Sequence, residues 1–236
     1  ARTATPPPGR RDHRAARARI RAALREEGRL LVELRVVHVA LGLAVLWTLL
    51  LLVPSPRTAG ALGPHLLFLD TAGFGALFAV ALVLVERTER TDAVRRVSPL
   101  RPVEAALCRV LPLTLLTCAM AVPIAAAAAR PTDTGGVLRV VLGVPAAVAP
   151  IAVLLLACCL AAGTRARTLP GVVVGALPLL VPLLVVPVAH LLGVLDHPVA
   201  HLVPTTGGAR LIEAAVTGAP PAGGAFPALV WVWLCA

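Results

Sequence analysis

The chain has 236 residues, of which 58% are hydrophobic and only 14% charged, with a formal net charge of +10. A soluble domain carries about 25% charged residues. Here the apolar residues gather in long runs with the charges between them, which excludes a soluble globular domain. Runs of about 18 or more apolar residues are long enough to cross a hydrocarbon core about 30 Å thick as helices. The strict alternation of a barrel strand is missing, so the expected fold class is an all-α integral membrane protein.

The first segment, residues 1–13, is rich in arginine and proline and is expected to be a disordered tail. Residues 14–35 read as an amphipathic helix interrupted near Gly28, with Ile20, Leu24, Leu31 and Leu34 on one face and arginines around the rest. Such a helix lies on a membrane surface rather than across it. The remainder, residues 36–236, forms the transmembrane domain. Its first span is expected over 36–53, closed by Pro54, Ser55, Pro56 and Arg57, and its second over 66–85. A charged stretch, Glu86 to Ala105, leads to a third span over 110–129. A short turn around Pro131, Asp133 and Gly135 precedes the fourth, 140–162, which ends at Gly163, Arg165 and Arg167. The fifth, 171–195, carries Pro178, Pro182 and Pro187, so it is expected to be a kinked helix whose freed carbonyls neighbours must satisfy. A short helix is expected from Thr205 to Thr217, with Thr205 or Thr206 capping its start and Gly218 closing its end. The sixth apolar run, 226–236, is half a bilayer long, and the natural chain is expected to continue beyond it.

All 22 basic residues are arginine. In a soluble protein such a charge would point to nucleic acid; between spans the plainer reading is anchoring against anionic lipid, with no nucleic-acid partner. The N-terminal segment, the stretch after span two and the stretch after span four hold ten, six and two arginines, against four on the other side. The positive-inside rule therefore puts the N-terminus in the cytosol. Cys108, Cys118, Cys158, Cys159 and Cys235 lack metal or disulfide-framework spacing and read as small buried hydrophobes. There is no phosphate loop, no H-E-x-x-H and no G-x-S-x-G, so the chain is not expected to be an enzyme by itself.

The stretch after span two has two readings, a solvated loop or a docking surface. It holds Glu86, Arg87, Glu89, Arg90, Thr91, Asp92, Arg95, Arg96, Val97, Ser98, Pro99, Leu100, Arg101, Pro102 and Glu104. That mixed charge exceeds what anchoring requires. Its first half is helix-compatible, Ser98-Pro99 ends that helix, and Glu104 begins the one leading into span three. In Glu86, Glu89, Thr91, Val97, Ser98, Pro99, Leu100, Arg101 and Pro102 the stretch resembles the corresponding loop of type-2 ABC exporter permeases, most of all the fluoroquinolone export permease subgroup. Leu66-Leu-Phe-Leu-Asp and His197-Pro198 followed by Leu202, Pro204 and Thr205 add to the likeness, which spans most of residues 24–236. Asp92, Arg95 and Arg96 depart from it.

The resemblance implies a six-span permease bundle preceded by an interfacial helix. It implies pairing with a second permease chain, as homo- or heterodimer, and binding of two ABC ATPase subunits that carry the ATP and Mg. No cofactor is expected on this chain. The loop and the interfacial helix would transmit the ATPase movement. The implied function is export of a hydrophobic or amphipathic small molecule, a drug or a lipid, across a bacterial inner membrane.

Other polar positions are weaker signals. Asp70, at the start of span two, reads as an intramembrane functional residue or, with Thr71, as a helix N-cap at the outer interface. His197 and His201 have metal-like spacing beside Asp196, but Pro198 opposes a helix there and no metal site is expected. His190 reads as making a local hydrogen bond and His38 as lying at headgroup level. The rival functions are an ion-coupled secondary transporter, which calls for several mid-membrane acids, a membrane-embedded enzyme, and a non-transporting scaffold.

Overall fold

A segment inside a bilayer has no water to bond its backbone, and the apolar runs satisfy that demand as helices. The computed structural model describes residues 8–88, 102–165, 169–195, 197–219 and 225–236, and every regular element among them is helical.

Helix α1 (Pro8–Glu33) starts inside the segment expected to be a tail, because a proline in the first turn lacks an N–H that the helix would not use there. It also runs straight through Gly28. A β-carbon there would touch nothing, so the only cost is about 1 kcal/mol of helix propensity relative to Ala. The interruption comes at Leu34 and Arg35 instead, where Arg35 adopts the left-handed conformation (φ 59°). There the chain bends by 64° into α2 (Val36–Leu52). Leu31 is buried and Ile20 and Leu24 are half-buried, whereas Leu34 sits in the break and is exposed.

Helix α3 (Pro56–Thr88) begins ten residues before the expected second span. Ser55 is its true cap: the Ser55 Oγ accepts from the Thr58 N–H (3.3 Å), and Pro56 follows at the first helical position. The turn that ends α2 is therefore also the start of α3. Helix α4 (Pro102–Ala129) follows, with Glu104 in its first turn, where a carboxylate meets the positive helix end. Asp133 then caps α5 (Thr134–Leu138) by accepting from Gly136 N–H at 3.2 Å.

Helix α5 continues through a π-helical turn, Arg139–Gly143, into α6 (Val144–Arg165). Pro145 has no N–H to return to the Val141 carbonyl, and the wider turn forms just before it. Next come α7 (Leu169–Leu191), a 3₁₀ turn (Pro198–Leu202), α8 (Pro204–Thr217) and α9 (Ala225–Cys235).

Among the described residues, three stretches are long and apolar enough to cross a bilayer: Val103–Ala129, Thr134–Gly163 and Val174–Leu191. The bent pair formed by α1 and α2 adds a fourth if it counts as one span. This is the build of a multi-pass helical membrane protein. Helices α2, α3 and α6 pack around α4, and α3 also lies against α6. Helix α8 is too short to cross, about 21 Å at 14 residues, yet it is buried against α3, α6 and α7. Small residues allow that approach. A β-carbon at Gly208 would lie 2.6 Å from Ile151 Cδ1, and one at Gly63 would lie 2.5 Å from Ala128 Cβ. Helix α7 is the peripheral member, with 11% of its apolar window buried against 50% for α4 and for the α5–α6 run.

Candidate functional site

The buried apolar residues form two clusters stacked along the bundle. One gathers Leu51, Leu67, Phe68, Ile124, Ile151, Leu155 and Ile212, and the other Leu31, Val36, Ala40, Ala44, Phe74, Val110, Leu113 and Leu156. Polar side chains lie among them: Trp47 and Thr48 on α2, Asp70 and Thr71 on α3 between Phe68 and Ala72 of the first cluster, and Thr114 and Thr117 on α4 between Leu113 and Met120 of the second. These polar groups sit inside an otherwise apolar bundle.

Most of them are self-satisfied. Thr48, Thr71 and Thr117 donate their hydroxyls to the carbonyls of Ala44, Leu67 and Leu113, each one turn back at 2.6–2.8 Å. Thr114 Oγ1 is buried and has no hydrogen-bond partner. Asp70 is the exception in charge. It is 8% exposed, and its one hydrogen bond comes from Trp47 Nε1, at 3.0 Å, across the seam between α2 and α3. Because α3 starts at Pro56, Asp70 lies four turns inside the helix and caps nothing, which corrects the N-cap reading. Sequence reading missed Trp47 as its partner; a lone indole within the apolar run of span one was the available signal.

At one end of the bundle α1 packs on the first half of α4. Leu31 joins Val110 and Leu113 in one cluster, and the Cys108 thiol points at the Ile20 carbonyl (4.0 Å). Arg19, Arg21, Arg25 and Arg29 remain exposed on α1, Arg29 donating to Glu33 at 2.8 Å. Of the charged stretch, Glu86 and Arg87 fall in the last turn of α3, Pro102 opens α4, and Glu104 is half-buried. Glu89, Arg90, Thr91, Asp92, Arg95, Arg96, Val97, Ser98, Pro99, Leu100 and Arg101 lie outside the described residues.

At the opposite end, Arg130 (φ 44°) reaches from the end of α4 to the end of α2, its Nη2 donating to the carbonyls of Leu51, Leu52 and Pro54 at 2.9–3.1 Å. These are among the last carbonyls of α2 and the turn after it, which lack helical partners. His197 caps the 3₁₀ turn, its Nδ1 accepting from Val199 N–H (3.3 Å). His201 lies edge-to-face with His190, ring centroids 5.2 Å apart, and its Nδ1 accepts from Arg210 Nη1 at 3.4 Å. His190 Nδ1 itself bonds the Leu195 carbonyl, the local bond expected of it. Asp196 lies outside the described residues, and among those described no group of three or more His, Cys, Asp or Glu is placed to share a metal.

Helix α8 serves the peripheral helix. Pro187 gives no N–H to the Leu183 carbonyl one turn earlier, and Thr205 Oγ1 donates to that carbonyl at 2.7 Å. The expectation that neighbours repair the proline-rich helix is thus met at this position. Thr205 does not cap α8: the cap position is Val203, and Thr206 Oγ1 is buried without a partner. Gly218 does close the helix, at φ 81°. Compared with known protein families, curated proteins and solved structures, the chain finds no match.

Proposed function

We propose that the chain is the membrane-spanning permease subunit of an ATP-driven exporter of the type-2 ABC kind. In this reading it crosses a bacterial inner membrane six times with its N-terminus in the cytosol. ATP and Mg are held by a separate ATPase, and a second permease chain completes the path. The cargo is a hydrophobic or amphipathic small molecule.

One observation carries the reading beyond the loop resemblance. Helix α1 is docked on the first half of α4, with Leu31 in one buried cluster with Val110 and Leu113 and Cys108 against the Ile20 backbone. The charged stretch ends at Pro102 and Glu104, where α4 starts. The interfacial helix and the exit of the loop are therefore side by side at one end of the bundle, and a soluble ATPase pressing on either moves both. The 64° bend at Arg35 allows α1 to lie across the direction of α2.

The ion-coupled alternative draws on Asp70, the one acid away from a helix end in α2 to α7 among the described residues. A single acid without a second titratable partner supports it less well than the paired coupling elements support an exporter.

The test is co-purification of the tagged chain with an ATPase bearing phosphate-loop motifs encoded beside it, comparing wild type with Glu89→Ala and Arg96→Glu. The expected result is wild-type association that both substitutions weaken. Unchanged association and unchanged coupled ATP hydrolysis in both variants would remove the loop from the mechanism.

A further inference from the structure

We propose that Asp70 and Trp47 form a recognition site for a lipophilic organic cation, an ammonium or phosphonium centre carried on an apolar body. The proposal deepens the exporter reading by naming the class of its cargo.

Asp70 is surrounded on its own helix by apolar and small residues: Leu66 and Leu67 one turn before, Gly73 and Phe74 one turn after. Among the described residues its carboxylate receives one neutral hydrogen bond, from Trp47 Nε1, and makes no ion pair. A buried carboxylate with one neutral donor is poorly compensated when it ionises, and acids of this kind within a membrane bundle mark ligand or ion pathways. The missing partner is a cation. Trp47 adds the aromatic face best suited to hold one, because the indole quadrupole attracts positive charge.

Access comes from the side. Helix α2 packs mainly on α4 and touches α3 lightly, so the Trp47–Asp70 bond bridges a thin seam. Trp47 is half-buried, Leu50 one turn away is 51% exposed, and Leu69 beside Asp70 is 49% exposed. A β-carbon at Gly73 would meet nothing within 4 Å, so the flank of Asp70 one turn along is open. An apolar body lying on Leu50 and Leu69 brings its charged centre to the carboxylate without crossing the packed core. A neutral lipid or drug gains nothing from Asp70, and an inorganic cation gains nothing from the leucines.

The experiment uses the full chain in detergent and measures equilibrium binding of radiolabelled tetraphenylphosphonium, with neutral triphenylphosphine oxide as the control of similar shape. Wild type is expected to bind the cation saturably. Asp70→Asn, whose amide oxygen still accepts the Trp47 N–H, is expected to weaken the cation at least about tenfold and leave the neutral probe unchanged. Asp70→Glu should keep binding within a few-fold, and Gly73→Leu should lose it by filling the open flank with the charge intact. Equal cation affinity in wild type and Asp70→Asn overturns the proposal, as does an equal loss of both probes or no saturable binding to wild type. No ATPase is present in this assay. A failure here with ATPase association intact rejects the cargo class alone, and the reverse pattern rejects the exporter reading alone.

Discussion

The repair of α7 by α8 can be measured as a coupling. Thr205→Val keeps the side-chain shape and removes the hydroxyl that donates to the Leu183 carbonyl at 2.7 Å. Pro187 supplies no N–H, so that carbonyl is left without a partner in an apolar setting. A buried acceptor orphaned in this way costs about 1–3 kcal/mol. Thr205 is fully buried, which puts the expected cost near the middle of that range, about 2 kcal/mol. For a chain of this length that is a fall in melting temperature of roughly 4–8 °C. The assay is thermal unfolding of the detergent-purified protein followed by size-exclusion recovery, repeated in a Pro187→Ala background. Alanine restores an N–H one turn from the Leu183 carbonyl, so the hydroxyl becomes redundant there. Thr205→Val should then cost under about 0.5 kcal/mol, the error with which independent changes add. An equal fall in both backgrounds refutes the argument, because the loss would then come from the packing of α8 and not from the proline-freed carbonyl.

Arg130→Met removes the clamp on the end of α2. Its Nη2 carries two hydrogens shared among three carbonyls, and that helix end is partly wet, so the expected loss is about 2 kcal/mol by the same melting assay. Arg130→Gly should lose less than Met, since glycine relieves about 1–2 kcal/mol of left-handed backbone cost; a larger loss in the Gly variant contradicts this account. The proposed orientation is checked by single cysteines in a cysteine-free background. Ser55→Cys should react with an impermeant maleimide in intact cells and Ser98→Cys only after lysis, and the opposite pattern inverts the topology.

What the sequence revealed divides along a physical line. Hydropathy finds where helices must be apolar, so 36–53 and 110–129 fall within a residue or two of the ends of α2 and α4 that face the intervening turns. It does not find where helices continue through polar residues. Arg57, Thr58 and His65 hid the first ten residues of α3, and Asp70 was placed at a helix end that lies 14 residues earlier. Gly28 suggests a break on propensity alone, but α1 gains tertiary support from α4. Proline arithmetic worked better: counting four residues back from Pro187 names Leu183 as the acceptor in need. The donor could not be named, since Thr205 is brought to it by the packing of α8 against α7. Arg130 illustrates the same limit, bonding carbonyls 76 to 79 positions away.

Two of the polar contacts that the bundle adds share one cause, the absence of water. Thr205 supplies the Leu183 carbonyl and Arg130 supplies the end of α2, and in both cases the need is a backbone group that the chain itself leaves open. Asp70 differs in kind. Removing it would leave no backbone group unpaired, since the only bond it makes is to a side chain, and Trp47 is half-buried beside the α2–α3 seam. A leucine at position 70 would suit the fold better, because a buried charge is expensive and its one neutral donor offsets little of the cost. Structural need therefore accounts for Arg130 and Thr205 and leaves Asp70 unexplained, and that residue is where a ligand-binding role has the most to explain.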